Sequence, residues 1–477
     1  MPSAVAYKNL SVQDPRAASK LSIFYREAGQ QDNPVVLLLH GFPTSSHQYR
    51  GLIDRLSDKY RVIAPDLPGF GFSDAPDAAT FSYTFDHLAE IMQGFVDSLG
   101  LTRYAIYVFD YGAPVGFRLA LAHPERVAAI ISQNGNAYEE GLSDGWNPIR
   151  AYWQDPSQQN RDQLRAFLQA GTTQFQYTHG EADSTHIAPE SYTLDQHFLD
   201  RPGNQEIQLD LFRDYQNNLA LYPQFQQYLR THRPPVLAVW GRNDPFFLPA
   251  GAEAFRRDVP DAEVHLLDAG HFVLEAHLDE AARIIRNFLA RTLDTAQGAA
   301  LFGQLNLASV PQQGREEVEG LSNFFGFVPN LGYALGAEPA VLHVYIQMLQ
   351  ALGQTSLDPI AQQVALAAAS YANAADYAVQ VHATLAARAG ASPQVIEAIR
   401  NGAPLQDRKL DAVRQFAAAI ALKHTQVSDA DVRLLTDAGY DRRAAVAIAL
   451  AVGAKTLVNT VAHLARPALD PGFQPQA

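Results

Sequence analysis

Asp110 ends the apolar run "YAIYVFD" and is followed by "YGAPVGF", with Gly112 two residues on. The first stretch reads as a strand and the second as the start of a helix, so the carboxylate stands at a sharp turn between them. It is ionised near neutral pH, because the ordinary aspartate pKa is about 4. Toward a carbonyl it is a poor nucleophile, since the product would be an anhydride. Toward an sp³ carbon bearing a leaving group it is a good one, and the product is an alkyl ester on the enzyme. Two other residues fit that chemistry. His271, in "DAGHFVLEAH", can deprotonate a water that hydrolyses the ester. Asp244, in "VWGRNDPFF", can hold the imidazole and stabilise its cation. The backbone amides of Tyr111 and of Phe42, in "LLLHGFP", would form the oxyanion hole during that hydrolysis.

Such groups must be carried on a rigid frame. "PVVLLLH", "YRVIAPD", "YAIYVFD", "VAAIISQN" and "PVLAVWG" are short, near-continuous apolar runs that end in polar or glycine residues. That is the pattern of parallel strands buried on both faces. Helical patterns separate several of them, such as "FDHLAEIMQGFVDSLG", which closes at Gly100 as a helix C-terminus does. The fold class is α/β, a sheet with helical crossovers. Nucleophile, acid and histidine follow one another in the chain, each at a strand end, which is the order of the α/β-hydrolase arrangement. The strand signal stops between Asn136 and Arg233. That stretch is rich in Gln, Asp and aromatics. It is expected to be a helical lid (137–233) over the C-terminal ends of the strands, where open α/β sheets bind ligands. The α/β core is then 1–136 and 234–292.

Residues 20 to 292 resemble the epoxide hydrolase and haloalkane dehalogenase branch of the α/β-hydrolases. The matching stretches are "HGFPTSSHQYR", "APDLPGFGFSD", "DYGAP", "GRNDP" and "GHFVLE". The resemblance implies Asp110 as nucleophile, His271 as base and Asp244 as acid. Two positions depart from the pattern. Haloalkane dehalogenases usually place Trp after the nucleophile and often Asn after the first His-Gly, where this chain has Tyr111 and Phe42. Epoxide hydrolases usually carry the HGFP seen here, but most often also have Trp where Tyr111 stands. The expected reaction is epoxide hydrolysis to a diol, with hydrolytic dehalogenation as the alternative. Further readings are an esterase or lactonase using Asp110 as a base, and a non-catalytic ligand-binding protein. Epoxide hydrolases of this branch use lid tyrosines to donate to the epoxide oxygen. The candidates are Tyr152 and Tyr215, then Tyr177, from a set that also holds Tyr138, Tyr192, Tyr222 and Tyr228. Substrate would be small and apolar, with water as co-substrate.

After Phe288 the composition changes. A weakly patterned linker (293–314) leads to an all-α domain (315–470) very rich in alanine. Its sequence resembles the carboxymuconolactone decarboxylase and alkylhydroperoxidase D-like family. Peroxidase-type members carry Cys-x-x-Cys and a following His. In "ADYAVQVH" the His is present as His382, but the cysteine positions are Ala375 and Ala378, and the upstream Glu of the proton relay is Gln363. Without sulfur there is no thiol redox chemistry, so His382 marks a vestigial second site. The resemblance implies a homo-oligomerisation module. A small-molecule pocket around His382 is the competing reading.

The bulk numbers exclude other classes. The 477 residues are too many for one core, and the net charge of −14 speaks against nucleic acid or an anionic membrane surface. There are no cysteines, hence no disulfides or thiolate metal sites, and no His-Glu-x-x-His spacing suggests a metal. No cofactor is expected. "AAVAIALAVGA" is too short an apolar run to span a bilayer, and no secretory signal is visible, so a cytoplasmic location is expected.

Overall fold

The structure is a computed structural model and describes residues 4–293, 301–373, 375–423 and 426–474. The chain divides into two compact units, Met1–Leu293 and Asp294–Ala477. The first is built on one eight-stranded sheet. Its strands are β1 (Ala6–Gln13), β2 (Lys20–Ala28), β3 (Val35–Leu39), β4 (Arg61–Pro65), β5 (Tyr104–Phe109), β6 (Val127–Gln133), β7 (Val236–Gly241) and β8 (Glu263–Leu267). Their order is β1-β2-β4-β3-β5-β6-β7-β8. From β4 to β8 all neighbours are parallel, while β1 and β2 pair antiparallel with each other and β2 pairs antiparallel with β4.

The inner strands are largely apolar because both faces are packed, with polar residues only at ends such as Arg61 of β4 and Ser132 and Gln133 of β6. In β3, Leu37 and Leu39 belong to one hydrophobic core, and Val36 and Leu38 to the core on the other side of the sheet. The strands expected from apolar runs all form. β1 and β2 were not foreseen, because β1 packs on little and carries Lys8 and Asn9. Helix Phe85–Ser98 ends as expected at Gly100, which adopts a left-handed φ of 67°. There Gly100 N–H donates to Asp97 and Leu101 N–H donates to Val96, closing the last turn. The segment between β6 and β7 is helical, including Asn147–Gln154, Ala170–Thr178, Pro189–Leu199, Asn204–Asp214 and Gln216–His232.

The second unit contains only helices among its described residues. The chief ones are Pro339–Gly353, Pro359–Ala372, Asp376–Arg388, Arg408–Leu422 and Arg442–Ala465. Of the expected linker, residues 294–300 lie outside the described residues. The remainder is part of this unit, since Phe302, Leu305 and Leu307 pack against Val310, Val318 and Leu331. Helix Arg442–Ala465 is longer than its apolar run and, by length and composition alone, could cross a membrane. Half of its most apolar window is packed inside the unit, as in a core helix.

Candidate active site

Asp110 sits directly after β5 and before helix Gly112–Ala122 with a φ of 46°, a conformation that Asp tolerates better than most residues. The turn is crowded. A Cβ on Gly112 would lie 2.0 Å from the Leu39 carbonyl oxygen, and one on Gly41 would lie 2.3 Å from Asp110 Oδ1. Only glycine at both places lets the two strand ends meet. The amides of Phe42 and Tyr111 each donate to Asp110 Oδ1, both at 2.6 Å. One carboxylate oxygen is thus held in the anion site, while no hydrogen bond from the described residues restrains the other.

The Phe42 amide is held in place from behind. His40, fully buried, accepts from the Leu67 amide at Nε2 (2.9 Å), tying the loop after β3 to the loop after β4. Asp66 accepts from the amides of Ser46 and Phe72 and secures the same junction. Burial pushes the His40 pKa down, so the ring stays neutral and can accept.

His271 Nδ1 lies 2.7 Å from Asp244 Oδ2. The imidazole is enclosed by Phe109, Phe247 and Phe272, with ring centroids 4.6, 5.8 and 5.1 Å away. Burial alone would lower its pKa. The charge of Asp244, the hydrogen bond to it and the charge of Asp110 outweigh that and raise it. Burial raises the Asp110 pKa to about 6, against the attraction of His271 and the two amide bonds. At neutral pH Asp110 is therefore still mostly ionised.

Two residues not singled out in the sequence support this pair. Asn134, just after β6 with a φ of 46°, donates Nδ2–H to Asp244 Oδ2 at 2.6 Å. Its Oδ1 accepts from the Gly241 amide at 3.0 Å. Gln133 donates to the His271 carbonyl at 3.1 Å and accepts from the Tyr107 hydroxyl. The signal was present: "SQN" ends a strand on the same sheet edge as Asp110 and Asp244. Asn134→Gly keeps the backbone freedom and removes the amide. We expect turnover to fall about tenfold, and the His271 limb of the pH profile to move to higher pH as Asp244 loses its donor; a pH–rate profile checks both.

Asp110 and His271 line one cavity with Phe42, Tyr111, Trp146 and Gln176. The cavity is narrow, and largely apolar walls surround it. Among the sequence-selected tyrosines, two are committed elsewhere. The Tyr152 hydroxyl accepts from Arg161 at 3.0 Å, and Arg213 lies over its ring. The Tyr177 hydroxyl donates to Asp195, and its ring stacks on Phe272. Neither lines the cavity, which corrects their expected role as donors to substrate. Tyr215 stands one layer back, packed on Tyr111 and Trp146. The buried polar atoms without a hydrogen-bond partner on cavity-lining residues are the Tyr111 hydroxyl and Gln176 Nε2. The indole N–H of Trp146 is already given to the Phe246 carbonyl.

In the second unit, His382 Nδ1 lies 2.9 Å from Gln363 Oε1. Ala375 and Ala378 are buried on the same stretch.

Comparison with known proteins gives the families of the two parts of the chain. Residues 34–278 match the alpha/beta hydrolase fold family, and residues 339–423 match the carboxymuconolactone decarboxylase family. An uncharacterized hydrolase of Saccharomyces cerevisiae is 44% identical over 288 residues, covering 60% of this chain and 97% of that protein. A haloalkane dehalogenase of Psychrobacter cryohalolentis is 28% identical over 287 residues, covering 58% of this chain and 90% of its own. A solved Pseudomonas aeruginosa structure, provisionally assigned as an epoxide hydrolase, superposes with a TM-score of 0.50 at 22% identity, covering 60% of this chain and 96% of that one.

Proposed function

From the premise that this chain belongs to the alpha/beta hydrolase fold family, we propose that it cleaves a small apolar substrate through an alkyl ester on Asp110. The observation that carries the reading is the state of the carboxylate. Oδ1 is bound by two amides, and Asp110 lines a cavity together with His271. The other carboxylate oxygen attacks the sp³ carbon. Oδ1 becomes the ester carbonyl oxygen and is already in the site that stabilises negative charge when water adds. His271, in electrostatic contact with Asp110, takes the proton from that water. Asp244 stabilises the resulting imidazolium. Alkylation also cancels the charge that helps to hold the His271 pKa up, so the base becomes stronger in supply when its step arrives.

The reaction we favour is epoxide opening to a diol. Ring opening creates an alkoxide, which needs a proton, and the Tyr111 hydroxyl is a buried phenol with no other partner among the described residues. Burial pushes its pKa well up, so the hydroxyl keeps its proton in the resting site and has one to give. Halide release is the second reading, supported by the Psychrobacter relative and by the free Gln176 amide, since a halide needs only N–H or O–H donors. Tyr111→Phe separates them. It should slow epoxide opening roughly 10²- to 10⁴-fold and bromide release far less, read by initial rates.

The direct test is intact-protein mass of His271→Ala after exposure to 1,2-epoxybutane or to 1-bromobutane. An adduct equal to the whole epoxide supports ring opening at Asp110. An adduct equal to the bromide substrate less hydrogen bromide, with none from the epoxide, supports dehalogenation. No adduct from either, in a folded variant, refutes the ester.

We also read the helical unit as the module through which chains assemble. Phe324, Leu422 and Val446 are 67, 61 and 70% exposed there, an unusual amount of bare apolar surface. Val446→Asp should lower the molar mass measured by light scattering; an unchanged mass counts against assembly through the surface around Val446.

A further inference from the structure

The helical unit holds a buried amine that nothing above uses. Lys455, on helix Arg442–Ala465, is 2% exposed, and burial alone, with no hydrogen bond or opposite charge among the described residues, acts on its amine. One turn further on the same face, Asn459 is equally buried, and neither its Oδ1 nor its Nδ2 has a partner. From helix Asp376–Arg388, His382 brings a third buried group. Its Nδ1 is held by Gln363, while its Nε2 has no partner. Both helices pack on Pro359–Ala372. Each orphaned polar atom in a closed interior costs about 1–3 kcal/mol, so the unpaired atoms of His382 and Asn459, with the buried Lys455 amine close enough to act on His382, point to a ligand that completes them.

We propose that Lys455, His382 and Asn459 form a second site, distinct from the Asp110 centre, that captures a small carbonyl compound as an imine. An amine taken out of water without a counter-charge loses its proton readily and becomes a nucleophile. Burial brings the Lys455 pKa down to about 7. Burial, with Lys455 adding to it, also keeps His382 neutral, its pKa well below the ordinary value. The chemistry balances without a redox partner. The Lys455 nitrogen attacks the carbonyl carbon, and the carbonyl electron pair moves to oxygen. A proton passes from nitrogen to that oxygen, and loss of water leaves the imine. His382 Nε2, whose lone pair is free because Nδ1–H donates to Gln363 Oε1, carries the proton. Asn459 Nδ2 holds the carbonyl oxygen, and Oδ1 accepts from the leaving water. The buried alanines of these helices, Ala365, Ala369, Ala378 and Ala383 among them, contribute no competing donors and suit a ligand with a small apolar tail.

The lysine content makes the test clean. The six lysines are Lys8, Lys20, Lys59, Lys409, Lys423 and Lys455, and all but the last are exposed. At pH 7 an ordinary lysine has less than about one part in a thousand of neutral amine. Full-length protein is incubated with propanal and sodium cyanoborohydride at pH 7, and the reduced adduct is located by peptide mapping. The α-amino group, which titrates near neutrality, is the internal reference. We expect Lys455 to label at least ten times faster than any other lysine. Lys455→Met should lose that adduct while keeping its helical circular dichroism, and His382→Ala should slow it several-fold. Labelling of Lys455 no faster than the exposed lysines overturns the proposal, as does a His382→Ala rate equal to that of the wild type.

Discussion

Asp110→Asn is expected to abolish turnover and at the same time raise the melting temperature. The amide cannot attack carbon, so activity toward either substrate class should fall by at least about 10⁴-fold. Asn tolerates the left-handed turn as well as Asp does, so the elbow survives. The stability gain follows from the pKa. Burial lifts Asp110 to about 6 from an ordinary 3.8, so between those values the folded chain holds a proton that the unfolded chain releases. The fold is therefore weakened as pH rises through about 6. Above it, the ionised side chain costs roughly 3 kcal/mol. The neutral amide avoids that cost. The variant should melt a few degrees higher at pH 8, with the difference shrinking as pH falls toward 4. Thermal unfolding across that range checks the sign, and an intact mass confirms that the amide has not hydrolysed back to the acid. A variant that melts lower at pH 8 than the wild type would mean that the carboxylate is not a strained group.

Replacing His271 should separate the two halves of the reaction. In His271→Ala the nucleophile and its amide cradle are intact, so alkylation proceeds. Water is no longer activated, and hydrolysis of the ester slows by roughly 10²- to 10⁴-fold. The time course should show one equivalent of product-side chemistry, such as one bromide per chain, and then nearly stop. The pH dependence of the wild type follows the same division. Alkylation requires ionised Asp110 and falls as pH drops below about 6. Ester hydrolysis requires neutral His271, whose pKa in the free enzyme is raised by Asp244 and Asp110, and it too is lost toward acid. Activity should thus rise from pH 5 to pH 8 with no acid optimum. A variant with no burst, or a wild type more active at pH 5 than at pH 8, would place His271 outside the hydrolytic step.

Much of this site could be read in the chain because its parts sit at strand ends. A strand packed on both faces is apolar throughout, so its end is marked by the first polar residue. That residue is His40 or Asp110, and in the run before Asn134 the polar residues begin at Ser132. β1 and β2 escaped because an edge hairpin needs only one buried face, as in Leu21, Ile23 and Tyr25 alternating with more exposed neighbours. The lid tyrosines escaped for a different reason. An aromatic stripe shows that a helix face is buried, not what it is buried against. Tyr152 is claimed by Arg161 and Tyr177 by Asp195, nine and eighteen residues away. Such pairings depend on how helices cross. Lys455 was hidden in the same way, since one lysine in an alanine-rich helix reads as a solvent position until the packing is known.

The central claim is that the oxygen delivered to the product comes from Asp110. It is tested most directly by a single turnover in heavy-oxygen water, with wild-type enzyme in excess over the epoxide or bromide. The account predicts that the first-turnover product carries no heavy oxygen and that the peptide containing Asp110 gains one heavy atom, because water attacks the ester carbonyl and the carboxylate oxygen leaves with the product. Heavy oxygen in the first-turnover product, with an unlabelled Asp110 peptide, would show that water attacks the substrate itself and would contradict the account.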